Sequence, residues 1–270
     1  MPARKTEPPA VEIQGLTRRF GAFTAVNKLD LRVEAGGVFA FLGPNGAGKT
    51  TTIKMLTTLL APTEGSLKLC GFDVVKQPRE ARRCFGIVFQ DRSLDDELSA
   101  AENMDLHGAM YGLAKALRRE RGEALLKMVE LWERKDDPVK RFSGGMKRRL
   151  EIARALMHEP RVLFLDEPTV GLDPQTRQHL WDYVTKLCKR SGTTVFLTTH
   201  YLEEAEKVAG RIAVIDHGRL VAQGTSAELR QATRTKSLEA AFIKLTGHGL
   251  REEEAGGVDR LRQFRKMWRR

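Results

Sequence analysis

The chain has 270 residues, of which 41% are hydrophobic and 30% are charged, and this composition is typical of a globular protein with one or two domains. It contains no apolar run of about 18 residues and no apolar stretch near Met1 like that of a signal peptide, so we expect a cytosolic chain that does not itself cross a membrane. The net charge is +11, and the segment from Arg260 to Arg270 carries five arginines and one lysine with no acid. Because a nucleic-acid-binding protein spreads its basic residues over a folded face, this distribution argues against a nucleic-acid partner.

The first part of the chain reads as strands followed by one helix. From Val11 an alternation of apolar and polar residues, broken by glycines, leads to the short buried strand "VFAFLG". A helix is expected from Lys49 to about Leu60, where Pro62 and Gly65 end it. "SLKLCGFDV" and "CFGIVFQ" then predict two further strands.

Helical patterns dominate from about residue 91 to residue 156. Ser99 and Glu102 form a capping box ahead of one helix, and a second helix is predicted over "KALRRERGEALLKMVELWER". The apolar face of this second helix comprises Leu125, Met128, Val129 and Trp132. Short apolar strands return in "RVLFLDE", "TTVFLTTH" and "RIAVIDHGRLV", with helical segments between them. Strands and helices that alternate around a helical insertion predict an α/β core with an α-helical subdomain.

The stretch "GPNGAGKTT", from Gly43 to Thr51, lies between a predicted strand and a predicted helix. This stretch, here called the phosphate loop, matches the pattern G-x-x-x-x-G-K-S/T in the context that the pattern needs. Its glycines let backbone N–H groups surround phosphate oxygens, Lys49 adds a positive charge at the outer phosphates, and Thr50 offers a hydroxyl to Mg²⁺. The predicted nucleotide-binding residues of the loop are Gly43, Pro44, Asn45, Gly46, Ala47, Gly48, Lys49, Thr50 and Thr51.

Two acidic residues follow one another at the end of the apolar strand "VLFLDE". At the carboxyl end of a buried strand, Asp166 is suited to holding Mg²⁺ directly or through water. Glu167 is suited to orienting a water molecule and removing its proton for attack on a γ-phosphate. Such a pair alone would usually cap a helix, but together with the phosphate loop it predicts nucleotide hydrolysis.

Five elements resemble the ATP-binding subunits of ABC transporters: the phosphate loop, "FSGGM", "VLFLDEP", the "GLD" after it and the histidine of "TTH". They occur in the order found in that family, and the resemblance runs from about Val11 to Val221. The stretch from "SGGM" to "LEIARAL" is similar to the branch that exports drugs, antibiotics and lipo-oligosaccharides. The resemblance implies an α/β fold with a P-loop NTPase core, in which a mixed sheet is flanked by helices. It also implies an N-terminal antiparallel β subdomain and the inserted helical subdomain at about residues 91–156.

The resemblance divides the chain into three parts. Residues 1–10 would be a flexible N-terminus, residues 11–225 the ATP-binding domain, and residues 226–270 a C-terminal extension with a basic tail. Apolar residues at helical spacing are expected to pack the extension on the body; these are Leu238, Ala241, Phe242 and Leu245. The final "GGVDRLRQFRKMWRR" is either a basic amphipathic helix suited to an anionic membrane surface or a solvated tail, and both alternatives stay open.

The segment "FSGGM", here called the signature segment, implies a site shared between two chains. In the family, two subunits associate head to tail, and each ATP lies between the phosphate loop of one chain and the signature segment of the other. Ser143, Gly144 and Gly145 would therefore contact the γ-phosphate of an ATP bound by the partner. Met146 stands where many members of the family have glutamine, and this removes an amide hydrogen bond from that position.

Four further residues match functional positions of the family. Phe20 matches the aromatic residue that stacks on adenine, and Gln90 matches the glutamine that reaches Mg²⁺ and the attacking water. Asp173 matches the loop that crosses the dimer interface, and His200 matches the histidine that contacts the γ-phosphate. The implied catalytic residues are Glu167, His200 and Gln90, and the implied Mg²⁺ ligands are Thr50, Gln90 and Asp166.

Without a membrane-spanning segment of its own, a transport ATPase requires separate permease chains. The prediction is a homodimer at the cytoplasmic face of the membrane, docked beneath those chains and hydrolysing ATP to drive export. Candidates for the apolar groove that receives a permease helix, some of which must also hold the helical subdomain together, are Leu94, Leu98, Met104 and Met110. The alternative is a soluble ATPase of the same family that acts on nucleic acid or ribosomes, as the basic composition suggests. A catalytically silent scaffold conflicts with the presence of both Glu167 and His200.

Overall fold

The structure, a computed structural model, describes residues 8–247, except the side chains of Lys189 and Arg190. The strands are β1 (Val11–Phe20), β2 (Phe23–Val33), β3 (Gly37–Leu42), β4 (Glu64–Leu69), β5 (Phe72–Asp73), β6 (Phe85–Val88), β7 (Val162–Asp166), β8 (Thr194–Thr198), β9 (Arg211–Asp216) and β10 (Arg219–Gly224). The helices are α1 (Lys49–Leu56), α2 (Pro78–Cys84), α3 (Ala100–Met110), α4 (Lys115–Met128), α5 (Gly144–Ala155), α6 (Pro174–Ser191), α7 (Leu202–Val208), α8 (Ser226–Thr233) and α9 (Leu238–Thr246).

The first sheet is antiparallel and has the strand order β2-β1-β4-β5. Strands β1 and β2 form a hairpin in which Phe20 is paired with Phe23. Alternate residues of the hairpin are buried, as the apolar–polar alternation requires, and examples are Val11, Ile13, Leu29 and Leu31. This sheet confirms the expected N-terminal antiparallel subdomain.

The second sheet has the order β10-β9-β3-β8-β7-β6, in which β9, β3, β8, β7 and β6 are parallel and β10 is antiparallel to β9. Every residue of β7 and of β8 is buried, which explains why both read as uninterrupted apolar runs. The sheet is mixed and flanked by helices, so the predicted core architecture is confirmed.

Two aromatic contacts mark the core between the two sheets. The ring of Phe196 on β8 lies 5.5 Å from that of Phe41 and 5.3 Å from that of Phe164, measured between ring centroids. On the other face of the mixed sheet, Leu197 belongs to a second core with Trp181 of α6 and Phe242 of α9. The sheet is therefore held rigidly from both sides, and the residues that follow its strands have fixed positions.

Several predicted elements differ from the structure at their ends; the helix predicted over "KALRRERGEALLKMVELWER", for example, ends at Met128. Helix α1 ends at Leu56 and not near Leu60, because Thr58 has a φ of 64° and the N–H groups of Leu59 and Leu60 donate back to the carbonyl of Lys54. The stretch "RIAVIDHGRLV" is not one strand. It forms the hairpin β9–β10, which turns at His217 and Gly218, with φ values of 44° and 75°.

The helical insertion has its own core between α3, α4 and α5. The predicted capping box is present: Ser99 Oγ accepts from Glu102 N at 3.2 Å, and Glu102 Oε2 accepts from Ser99 N at 2.7 Å. Met104 is only 1% exposed inside this core, so among the four groove candidates it is one that holds the helical subdomain together, whereas Met110 is 77% exposed. The apolar face predicted for the second helix packs in the same core through Val129.

The first part of the C-terminal extension packs as expected, since Leu238, Ala241 and Phe242 of α9 are buried. The basic tail and residues 1–7 lie outside the described residues. Between residues 8 and 247, no helix combines the length and apolar character needed to cross a bilayer.

Acid should destabilise the protein through His107 of α3. Its imidazole faces Tyr111, His158 and Arg154, and burial lowers the pKa of His107 to about 4. Because the unfolded chain binds a proton near pH 6.5 and the folded chain does not, this residue contributes stability that is lost as the pH falls from about 6.5 to 4. The free energy of unfolding, measured with urea at pH 7 and at pH 5, should fall less with acid in His107→Phe than in the native chain. The control, His179→Gln at an exposed histidine of α6, should lose as much stability as the native chain. An unchanged pH dependence in His107→Phe would contradict the assignment.

Candidate functional site

The phosphate loop connects β3 to α1 and has a backbone that only glycine accommodates at two points. Gly46 and Gly48 have φ values of 80° and 104°, in the left-handed region. A Cβ at Gly48 would also lie 2.5 Å from the carbonyl oxygen of Ala25 on β2. Thr52 N donates to Gly48 O at 2.9 Å, so the helix begins directly behind the loop and directs its N-terminus at it.

Lys49 lies over the loop and not in solvent. The residue is 8% exposed, and its Nζ donates to the carbonyl oxygens of Gly43 at 2.5 Å and Pro44 at 3.0 Å. Asn45 and Thr50 are exposed beside it. A positive charge, a helix N-terminus and exposed polar side chains together form a site that attracts anions.

Asp166 occupies the last position of β7 and is buried, with 4% exposure. Thr198, its register partner on β8, donates its hydroxyl to Asp166 Oδ1 at 2.6 Å. Burial raises the pKa of the Asp166 carboxyl, and the hydrogen bond from Thr198 and the charge of Lys49 offset part of this rise. The carboxylate is therefore fixed at the edge of the sheet, close to the phosphate loop.

Glu167 has a strained backbone and a fixed side chain. Its φ of 50° is unusual for a residue that is not glycine. Its N–H donates to the carbonyl oxygen of Thr198 at 3.1 Å. Its Oε2 accepts from His200 Nδ1 at 2.7 Å and from His200 N at 3.3 Å. The structure thus brings together the carboxylate of Glu167 and the imidazole of His200, which are 33 positions apart in the sequence.

Gln90 follows β6, which ends at Val88 and not at residue 90 as the sequence pattern suggested. Gln90 is exposed and lines a cleft together with Glu167 and Gly144. Phe20, at the end of β1, is 46% exposed, and the guanidinium of Arg18 lies 4.6 Å from its ring centroid. Phe20 is therefore a surface residue and does not belong to the hydrophobic core.

The signature segment lies against helix α6 of the same chain. Ser143 is the N-cap of α5, and its Oγ accepts from Met146 N at 3.2 Å. A Cβ at Gly145 would lie 2.5 Å from Thr176 Cγ2, so a larger residue there would have to displace the Thr176 side chain. Asp173 caps α6 by accepting from Thr176 N at 3.0 Å and from its hydroxyl at 2.6 Å, and these hydrogen bonds lower the pKa of Asp173. The helix ends that carry Ser143 and Asp173 are therefore neighbours.

Sequence reasoning missed the buried charged residues of α5, two of which, Arg148 and Glu151, line the cleft with Gln90 and Glu167. Arg148 is 8% exposed and forms an ion pair of 3.1 Å with Glu151, which is 2% exposed. Arg148 also donates to backbone carbonyls on both sides of the candidate site, including that of Glu167 at 3.0 Å. The only signal in the sequence was the spacing of two opposite charges by three residues, on the same helix face as Ile152.

Comparison with known proteins gives the same picture. The sequence profile of the family described as "ABC transporter" matches residues 26–170. The daunorubicin/doxorubicin resistance ATP-binding protein DrrA of Streptomyces peucetius is 47% identical over 83% of this chain and 67% of that protein. The Nod factor export ATP-binding protein I of Ralstonia nicotianae is 44% identical over 82% of this chain and 68% of that protein.

Among solved structures, the fold is similar to the ATP-binding cassette MJ0796, whose dimer was captured after hydrolysis with ADP and phosphate. The TM-score is 0.71 and the identity 28%, over 80% of this chain and 98% of that one. This neighbour and the described strand order agree on an α/β fold with a P-loop NTPase core. The chain belongs to the ABC transporter family, in which it is an ATP-binding and ATP-hydrolysing subunit of the exporter type.

Proposed function

We propose that the chain works as a head-to-tail homodimer, in which each ATP is bound by the phosphate loop of one subunit and the signature segment of the other. Hydrolysis at this site is supported by the 2.7 Å contact between Glu167 and His200 at the sheet edge beside the phosphate loop, and association of two chains is supported by the dimer of the similar cassette MJ0796. Together with the phosphate loop, Glu167 and His200 give each chain a nucleotide site and a proposed base. The signature segment lies close to α6 of its own chain, and a second chain is proposed to present its ATP to Ser143, Gly144 and Gly145.

Mg²⁺ is proposed to bind through Thr50, Gln90 and Asp166. These side chains offer a hydroxyl, an amide and a carboxylate oxygen, which are the hard donors that Mg²⁺ prefers. The buried Asp166 carboxylate gains most from such a cation, since burial disfavours its charged form. When bound, Mg²⁺ neutralises charge on the phosphate oxygens.

In the proposed mechanism, Glu167 removes a proton from the water that attacks the γ-phosphate. His200 orients the base by donating from Nδ1 to its carboxylate. Lys49 and the N-terminus of α1 hold the phosphates, and Gln90 contributes to the position of the water. The exposed ring of Phe20 stacks on adenine, a type of contact worth about 1–3 kcal/mol per base in nucleic-acid binders.

Permease chains are the proposed partners, and the proposed location is the cytoplasmic face of the membrane. The names of the two relatives, one for drug resistance and one for Nod factor export, support transport over the alternative of a nucleic-acid or ribosome ATPase. Leu94 and Leu98, which are half-buried, and the exposed Met110 remain candidates for the docking groove. Contact between an anionic membrane and the segment from Arg260 to Arg270 stays a prediction.

Replacing the proposed base tests its role directly. Glu167→Gln should keep ATP binding and slow hydrolysis about 10²–10⁴-fold, because a positioned base is lost while the contact with His200 can be kept. ATP turnover and size-exclusion chromatography with ATP should together show an inactive, trapped dimer. Glu203→Gln, at an exposed glutamate of α7, is the matched control and should behave as the native chain. Normal turnover in Glu167→Gln would remove Glu167 from this role.

Mixing two inactive variants tests whether the site is shared. Lys49→Ala removes the charge at the phosphates, and Ser143→Arg blocks the ATP of the partner, so each homodimer should be nearly inactive. A heterodimer has one doubly damaged site and one intact site, so an equal mixture should recover up to about a quarter of native ATPase activity. If either variant alone hydrolysed ATP at the native rate, the head-to-tail arrangement would be wrong.

A charge on the exposed face of α3 should uncouple transport from hydrolysis. Met110→Glu places a carboxylate at a 77% exposed apolar position without disturbing the helical core. Export by cells carrying the whole transporter should fall, and ATPase activity of the purified subunit should stay near native. Leu59→Glu, at a 61% exposed leucine after α1, is the matched control and should affect neither. Parallel loss of both activities in Met110→Glu would show a defect of folding and not of docking.

A further inference from the structure

The guanidinium of Arg148 is the most completely hydrogen-bonded charged group near the site. It presents five N–H donors, and the structure supplies five acceptors within hydrogen-bonding distance. These acceptors are the carbonyl oxygens of Pro168 (2.8 Å), Phe89 (2.5 Å), Glu167 (3.0 Å) and Asp166 (3.3 Å) and the carboxylate of Glu151 (3.1 Å). One side chain of α5 therefore binds backbone that belongs to two other segments.

Both of these segments carry residues of the proposed site. Asp166, Glu167 and Pro168 form the turn that leaves β7, and Phe89 directly precedes Gln90. Glu151 extends the connection, since its Oε1 accepts from the N–H of Ser93 at 2.9 Å, farther along the loop that contains Gln90. Helix α5 is thus joined to the turn with the proposed base and to both sides of Gln90.

The turn at Glu167 needs such support, because its φ of 50° is unfavourable for a residue with a side chain. The strand side of the turn is held by Thr198, which accepts the N–H of Glu167. The opposite side is held by Arg148, which binds three consecutive carbonyls of the turn. Without these hydrogen bonds the turn can relax towards ordinary backbone angles, and the carboxylate then moves away from His200.

We propose that Arg148 is a positioning residue. Its hydrogen bonds hold two segments against helix α5: the turn that carries Glu167, and the residue before Gln90. The inference rests on the proposed role of Glu167 as the base. Because α5 begins at the signature segment, the same guanidinium ties the base of one ATP site to the helix that is proposed to contact the other ATP. The effect of Arg148 is on the rate of the chemical step and not on the binding of the nucleotide, since its contacts lie on the turn and the loop and none of them is with the phosphate loop or Phe20.

Lysine cannot replace arginine in this position. A lysine ammonium directs three donors from a single nitrogen, whereas the five acceptors surround a planar fork with three nitrogens. Arg148→Lys therefore keeps the charge beside Glu151 and leaves at least two buried carbonyls without a donor. Arg149→Lys is the matched control on the same helix, because Arg149 donates to Val129 O at 3.0 Å and pairs with Glu130, both of the helical subdomain.

The test is steady-state ATP hydrolysis by the full chain, with nucleotide binding measured separately by a fluorescent ATP analogue. Arg148→Lys should lower kcat by about 100-fold, the usual effect of a displacement of about 1 Å at a reacting group, with KM and nucleotide affinity within about threefold of native. Arg149→Lys should keep both parameters. A native kcat in folded Arg148→Lys, or a rise in KM at constant kcat, would overturn the inference.

A double substitution shows whether Arg148 acts through Glu167. Once the base is absent its position no longer matters, so Arg148→Lys should not slow the residual hydrolysis of Glu167→Gln any further. An additional loss equal to that in the native background would overturn the inference while leaving Glu167 as the base. Normal turnover in Glu167→Gln would instead remove the base assignment, and this inference with it.

Should Arg148→Lys not fold, the pair Arg148→Gln with Glu151→Gln replaces both buried charges without leaving one unpaired. The glutamine amide at position 148 restores at most two of the five donors. This pair of substitutions should cause the same loss of kcat at near-constant KM. Added to Glu167→Gln, the pair should not slow the residual hydrolysis any further. A native kcat in the pair would overturn the inference equally.

Discussion

The parallel pairing of β3, β8 and β7 is the constraint on which the site depends. In this register Thr198 is opposite both Phe41 and Asp166, so the phosphate loop, the acidic turn and the loop with His200 all leave the sheet at the same level. A shift of one residue in any of these strands would turn its side chains to the opposite face and separate the groups. Such a shift is prevented by the apolar cores on both faces, where Phe164 and Phe196 fill one side and Leu165 and Leu197 the other. The precision of the site therefore originates in the packing of residues that never contact a nucleotide.

One strained residue lies at the point where the mixed sheet meets the candidate site. Non-glycine residues with positive φ cost about 1–3 kcal/mol each when the surroundings hold them there, and Glu167 is one of them. The glycines of the phosphate loop avoid this cost at Gly46 and Gly48, but a base needs a side chain, so position 167 cannot be glycine. The hydrogen bonds of Thr198 and Arg148 supply the compensation from two sides. The strained turn and its buried arginine are thus parts of one arrangement.

Local signals in the sequence were sufficient for many elements. The capping box of Ser99 and Glu102 and the glycines of the phosphate loop depend on interactions within a few residues, and the strands β7 and β8 announce themselves as short apolar runs although their pairing is long-range, so all were predictable. The turn of the β9–β10 hairpin was missed, because His217 adopts a positive φ that its residue type does not announce. Helix α1 was predicted too long, because its end depends on backbone hydrogen bonds to Lys54. Met104 could not be separated from the other groove candidates, because apolar residues of a core and of a docking groove look alike until long-range packing is known.

The residues of the candidate site also differ in whether the sequence could predict them. Motif spacing placed the phosphate loop and the two acidic residues, and the family resemblance added His200, Gln90 and the signature segment. Neither kind of reasoning identified Arg148. Four of its five acceptors are backbone carbonyls, which every residue has, so the sequence gives no sign of these hydrogen bonds. A buried arginine that donates to backbone carbonyls fixes the conformation of the neighbouring segments but places little restriction on which amino acids they contain. For this reason, Arg148 could not be found from the sequence, although Glu167, the proposed base, could.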